Sequence, residues 1–180
     1  KKIILLSILF TSCQVGANDY EYVVKDEAFR DEVLNKTNGQ YVELSDGYTY
    51  FEEANQDSNF GNVVLVHGYS IPSYIMKTTF NSLKDKGYRV VMMDLFGRGF
   101  SDNPDLPQTD YLRANQVIEL MKYRGIENAA LVGLSNGGRI ISKIADLNPN
   151  KVNSLFYVAS AGFFEHAELS DKSVSQEEID

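Results

Sequence analysis

The sequence has no tryptophan, one cysteine and two histidines among its 180 residues. A single cysteine, Cys13, excludes an internal disulfide. With two isolated histidines, His67 and His166, it also offers no ligand cluster, so no metal ion and no cofactor is expected. Acidic residues outnumber basic ones by 25 to 17, a formal charge of −8, which argues against nucleic acid, whose phosphates need lysine and arginine. The chain carries no block of like charge and no internal repeat. What remains has the composition of a globular protein. It is long enough for one domain with a sizeable core and too short for two ordinary ones.

The chain opens on Lys1-Lys2 and the apolar run IILLSILF, residues 3–10, which is too short to span a bilayer. A basic start followed by a short apolar stretch reads as a secretory signal over residues 1–17 of an exported bacterial protein. Two cleavage patterns are open. Phe10-Thr11-Ser12-Cys13 resembles a lipobox, which would make Cys13 a lipidated N-terminus and hold the protein on a membrane facing the periplasm or cell surface. Val15-Gly16-Ala17 instead fits ordinary cleavage and soluble release. Residues 18–39 form a polar leader with weak helical spacing at Phe29, Val33 and Leu34.

From residue 40 the punctuation becomes regular. Residues 40–54 read as a β-hairpin about Asp46-Gly47, a two-residue turn signal. Residues 62–66 (NVVLV) and 88–93 (YRVVMM) are continuous apolar β-branched runs, the mark of strands covered on both faces. A helix is expected over residues 74–86, closed by Gly87, and another from a Thr109 or Asp110 cap to Arg124, stopped by Gly125. A strand from Ala129, a helix ended by Asn148-Pro149 and a last strand over residues 152–159 complete the alternation. Such alternation predicts an α/β protein with a mostly parallel, doubly wound sheet and a leading hairpin.

The stretch AALVGLSNGGRIISKI, residues 129–144, runs from an apolar strand through Gly133-Leu134-Ser135-Asn136-Gly137 into a helical pattern. This is a G-x-S-x-G arrangement in strand–turn–helix context. Glycine fits where strand and helix approach closely, and the free N–H groups at the helix start face the serine hydroxyl. A serine there can act as a nucleophile whose developing oxyanion is stabilised. No phosphate-binding G-x-G-x-x-G fingerprint is present, either at 94–101 or at 133–138, so a dinucleotide site is not supported.

Three motifs in order, His67-Gly68 after the first parallel strand, Asp94-x-x-Gly97-x-Gly99-x-Ser101 after the second and Gly133-x-Ser135-x-Gly137 after the third, resemble the α/β-hydrolase family. The likeness covers about residues 40–162. It implies that Ser135 is the nucleophile and that the backbone N–H groups of Asn136 and Tyr69 form the oxyanion hole. It gives His67, Gly68, Asp94, Gly133 and Gly137 supporting roles. Tyr69, Tyr74 and Phe96 could line an apolar acyl pocket. A base and an acid should follow the serine. The candidates in hand are Glu165 and His166, which fall at the start of the family's lid, residues 165–180, rather than on later strands. The likeness therefore implies a chain that stops before the lid and the last strands, with a hydrolase domain over 40–164. The expected substrate is a small carboxylic ester, although relatives with a serine nucleophile also cleave C–C bonds, amides and peroxides. The other reading is a non-catalytic binding protein on the same fold.

Overall fold

A computed structural model describes residues 23–162. The expected signal over 1–17 with Cys13, and the expected lid start with Glu165 and His166, lie outside the described residues. Helix α1 (Glu27–Lys36) leads into strands β1 (Gln40–Leu44), β2 (Gly47–Ala54) and β3 (Asn62–Val66). A 3₁₀ turn (Ser73–Met76) runs into α2 (Lys77–Asp85), followed by β4 (Arg89–Met93), α3 (Asp110–Tyr123), β5 (Ala129–Leu134), α4 (Gly137–Leu147) and β6 (Val152–Val158).

The six strands form one sheet in the order β1-β2-β4-β3-β5-β6. The last four in that order are parallel to one another, and β2 runs antiparallel both to β4 and to its hairpin partner β1. Continuous apolar strands bury both faces, and alternate side chains serve two cores. Val64, Val66, Val91, Met93 and Leu131 face α3 and α4, which contribute Ala114, Val117, Leu120, Ile140, Ile141 and Ile144. Val63, Leu65, Val90 and Met92 face the other way, against Met76 and Phe80 of the 3₁₀ turn and α2. Burying each such side chain contributes roughly 1.5–3 kcal/mol. The expected doubly wound sheet is therefore the one observed.

This winding places the site. From β3 the chain passes to β4 on one side and then crosses to β5 on the other, so β3 marks a reversal of strand order. Crevices open at the carboxyl ends of the strands at such a point. The segments that leave β3, β4 and β5 there begin with His67, Asp94 and Ser135.

Several local expectations are corrected. The hairpin turn is Ser45-Asp46, because Leu44 pairs with Gly47. Gly47, at φ 142°, instead opens β2, where Asp102 Oδ2 accepts the N–H of Tyr48 at 2.8 Å. The helix expected over 74–86 is split into the 3₁₀ turn and α2. Residues 25–36 of the polar leader pack on the outside of the domain. Asp26 caps α1, Val33 is buried, and Lys25 Nζ donates to the carbonyls of Gly99 and Ser101, fastening residues 25–36 to the segment after β4. Strand β6 is the outer strand of the described sheet, and Phe156 stands 54% exposed.

Candidate active site

Ser135 occupies the apex of the turn between β5 and α4 with φ 52°, in the left-handed region that an ordinary side chain avoids. Three backbone bonds hold it there. Its N–H donates to the Val158 carbonyl at 2.9 Å, and its own carbonyl accepts from Gly138 and Ala161 at 3.0 Å each. The end of β6 thus braces the serine, a contribution that the sequence reading missed. Glycine is required on either side because the backbone approaches itself. A Cβ on Gly133 would lie 2.6 Å from the Gly137 carbonyl oxygen, and one on Gly137 would lie 2.3 Å from that of Val66. The serine side chain, by contrast, is exposed.

Gly68 lies against this serine; a Cβ there would stand 3.0 Å from Ser135 Cβ and 3.5 Å from its Oγ. A cleft of about 220 Å³ opens between the two segments, lined by Gly68, Tyr69, Ser70, Ile71, Ile75, Leu134 and Ser135. The lining sets the Ser135 hydroxyl and glycine backbone beside the apolar side chains of Ile71, Ile75 and Leu134. Among the described residues, neither the Tyr69 N–H nor the Asn136 N–H donates to an internal acceptor. Asn136 is the N-cap of α4, so its N–H also lies at the positive end of the helix dipole.

His67 is fully buried and both its ring nitrogens are engaged. The Leu95 N–H donates to Nε2 at 2.9 Å, so Nδ1 carries the hydrogen and donates to the Gly68 carbonyl at 2.7 Å. Burial pushes its pKa below the usual histidine range, against the opposing pull of the Gly68 carbonyl. A neutral ring with both nitrogens committed is no base for Ser135. It does orient a peptide. In a trans peptide the C=O and N–H point in opposite directions, so a Gly68 carbonyl turned to His67 turns the Tyr69 N–H away from it.

Asp94 is buried and anchors two segments at once. Its Oδ1 accepts the N–H of Ser73 and its Oδ2 that of Phe100, each at 2.8 Å. Ser101 Oγ donates to the Asp94 carbonyl at 2.6 Å and accepts the Tyr50 N–H at 2.9 Å. Gln116 of α3 joins them, accepting from Phe96 N–H and donating to Thr49 Oγ1, both at 2.9 Å. Gln116 was absent from the sequence reading. Its signal was a polar residue four positions from both Leu112 and Leu120, on the buried stripe of the helix. Of the three aromatics expected around an acyl pocket, only Tyr69 lines the cleft with Ser135. Tyr74 lines a separate cavity, and Phe96 is buried in the core.

The structure thus brings Ser135, Asn136, Gly68 and Tyr69 to one cleft and sets His67 and Asp94 behind it. Among the described residues no carboxylate or imidazole is hydrogen-bonded to Ser135 Oγ, and no group of acidic, histidine or cysteine side chains is arranged to hold a metal. Nor is any described helix long and apolar enough to cross a membrane.

A family model described as the alpha/beta hydrolase fold matches residues 61–178. A 1-acylglycerol-3-phosphate O-acyltransferase of Arabidopsis thaliana is 32% identical over 115 residues, 61% of this chain and 27% of that one. A pimeloyl-[acyl-carrier protein] methyl ester esterase of Aliivibrio fischeri is 32% identical over 103 residues, covering 57% of this chain and 38% of its own. Among solved structures, an esterase from Exiguobacterium antarcticum superposes with a TM-score of 0.63 at 27% identity, over 69% of this chain and 46% of that one. The chain therefore spans less than half the length of the curated relatives it matches.

Proposed function

The chain belongs to the α/β-hydrolase family, and from that premise we propose that it is a serine hydrolase that cleaves carboxylic esters through an acyl-enzyme on Ser135. The observation that carries the reading is the strained apex of the β5–α4 turn, φ 52° at an exposed serine beside two N–H groups with no internal acceptor among the described residues. Strain of this kind persists only where the surroundings enforce it. In the reaction Ser135 Oγ bonds to the carbonyl carbon, and the carbonyl oxygen takes up negative charge between the N–H groups of Tyr69 and Asn136. Fixed donors already aimed at that oxygen stabilise the charge more than water that must reorient, each by a factor of about 10²–10³ in rate. The C–O bond to the alcohol then breaks, and water repeats the sequence to free the acid. His67 is committed elsewhere, so the base and its orienting acid are assigned outside residues 23–162, where Glu165 and His166 are candidates. Supply of an ester to this cleft is compatible with the apolar wall of Ile71, Ile75 and Leu134.

The full-length gene product should hydrolyse p-nitrophenyl butyrate with an initial burst of p-nitrophenol, and Ser135→Ala should lower the rate by at least about 10³-fold. An undiminished rate in Ser135→Ala removes the assignment. From the basic start and short apolar run of residues 1–10 we also propose that the protein is exported, as a lipoprotein acylated at Cys13 or a soluble protein cut after Ala17. The mass of its N-terminal peptide from the native host distinguishes the two. A non-catalytic binding role is favoured by one observation, the lack of a base at Ser135 among the described residues. It predicts a stable full-length protein with no burst at all.

A further inference from the structure

The segment that carries half of the oxyanion hole has little to hold it. Among the described residues, the main chain of residues 69–71 makes one hydrogen bond, and its partner is Arg98, from the segment after β4. Arg98 Nε donates to the Tyr69 carbonyl, while Nη1 donates to the Gly97 carbonyl at 2.7 Å. The guanidinium carbon also sits 4.3 Å from the centroid of the Tyr69 ring, over its face. Main chain and side chain of Tyr69 are therefore gripped by one planar group, itself braced on its own backbone. The backbone under Arg98 is fixed in turn, with Arg98 N–H donating to the Leu95 carbonyl at 2.9 Å and Gly97 N–H to that of Asp102 at 2.8 Å.

We propose that Arg98 is a positioning residue that holds Tyr69 so that its N–H stays aimed at the oxygen bound beside Ser135. The assignment rests on the serine-hydrolase reading above. Two peptides in succession are fixed from behind the cleft. His67 holds the Gly68 carbonyl and so orients the Tyr69 N–H, and Arg98 holds the next carbonyl and the ring, so Tyr69 cannot swing about the flexible Gly68. Lysine could not replace it. A point charge on a flexible stem supplies neither the flat face for the tyrosine ring nor two donors in a fixed fork.

The test uses the full-length protein with p-nitrophenyl acetate, whose small acyl group makes few contacts of its own. Arg98→Ala should lower kcat by about 10–100-fold, part of the loss from removing an oxyanion donor outright, while KM moves by less than about three-fold. Arg98→Lys should recover little of that loss. If Arg98→Ala does not fold, Arg98→Lys and Arg98→Gln carry the same kcat-against-KM comparison. A wild-type protein that turns over no ester overturns the functional reading, and this assignment with it. A reactive wild type with unchanged kcat in Arg98→Ala overturns the assignment alone. So does a loss confined to KM, which would make Arg98 a substrate contact, or full rescue by lysine.

Discussion

The turn that leaves β5 and the loop that leaves β4 emerge at the same edge of the sheet, with only β3 between them, yet they are held by different means. After β5 the conformation is set by shape. Glycines at 133 and 137 let backbone pack on backbone, and the strained Ser135 between them uses its side chain for nothing structural that the described residues reveal. After β4 the conformation is set by buried polar side chains. Asp94, Ser101, Gln116 and His67 satisfy N–H groups that would otherwise be stranded away from water. The difference separates two jobs. A side chain free of structural duty is available for chemistry, and a neighbour saturated with bonds can serve only as a frame.

Substitutions can break or sharpen that contrast. The largest effect should come from the frame and from the shape that opposes it. Asp94→Ala strands one buried and one half-buried N–H group and should cost about 3 kcal/mol, and Gly137→Ala forces a Cβ into the Val66 carbonyl and should cost about as much, roughly 3 kcal/mol. Both are read from urea unfolding of the full-length protein. Only the first should be eased by an isosteric change, Asp94→Asn, which keeps one acceptor. Smaller and opposite in sign is Ser135→Gly. Relief of the left-handed strain, less the entropy that glycine loses on folding, should leave stability unchanged or raise it by up to about 1 kcal/mol, while activity disappears. A clear loss of stability there would mean that Ser135 has a structural role after all.

A graded effect is the pH slope from His67, whose pKa burial lowers in the folded protein. Above its unfolded value of about 6.5 the ring is neutral in both states and adds no slope. Below it the unfolded chain binds a proton that the folded chain refuses, so stability falls as pH falls, by at most about 1.4 kcal/mol per pH unit. His67→Gln should flatten that part of the urea midpoint profile between pH 6.5 and 5.

These two regions also differ in how far they could be read in advance. Glycine spacing, uninterrupted apolar strands and the Thr109 cap, whose Oγ1 accepts the Leu112 N–H at 3.1 Å, are local signals, and they placed the strands, α3 and the serine turn. Gln116 was not legible because its partners, Phe96 and Thr49, lie 20 and 67 residues away. The hairpin slipped by one residue because the long-range bond from Tyr48 N–H to Asp102 decides where Gly47 sits. Phe96 reads as a pocket aromatic by its place after β4, yet its side chain is buried. Nothing local in the sequence marks Arg98 either. It stands in a glycine-rich loop, and its meaning comes only from Tyr69, which arrives from another strand.

The most direct test of the central claim is the site of covalent attack. The full-length protein should be treated with diisopropyl fluorophosphate, digested and sequenced by tandem mass spectrometry. One modified residue, Ser135, present in the native protein and absent after heat denaturation before treatment, is the expected result. No adduct, or an adduct at Ser73, Ser101 or Ser160 with Ser135 intact, would contradict the assignment of the β5–α4 turn as the catalytic centre.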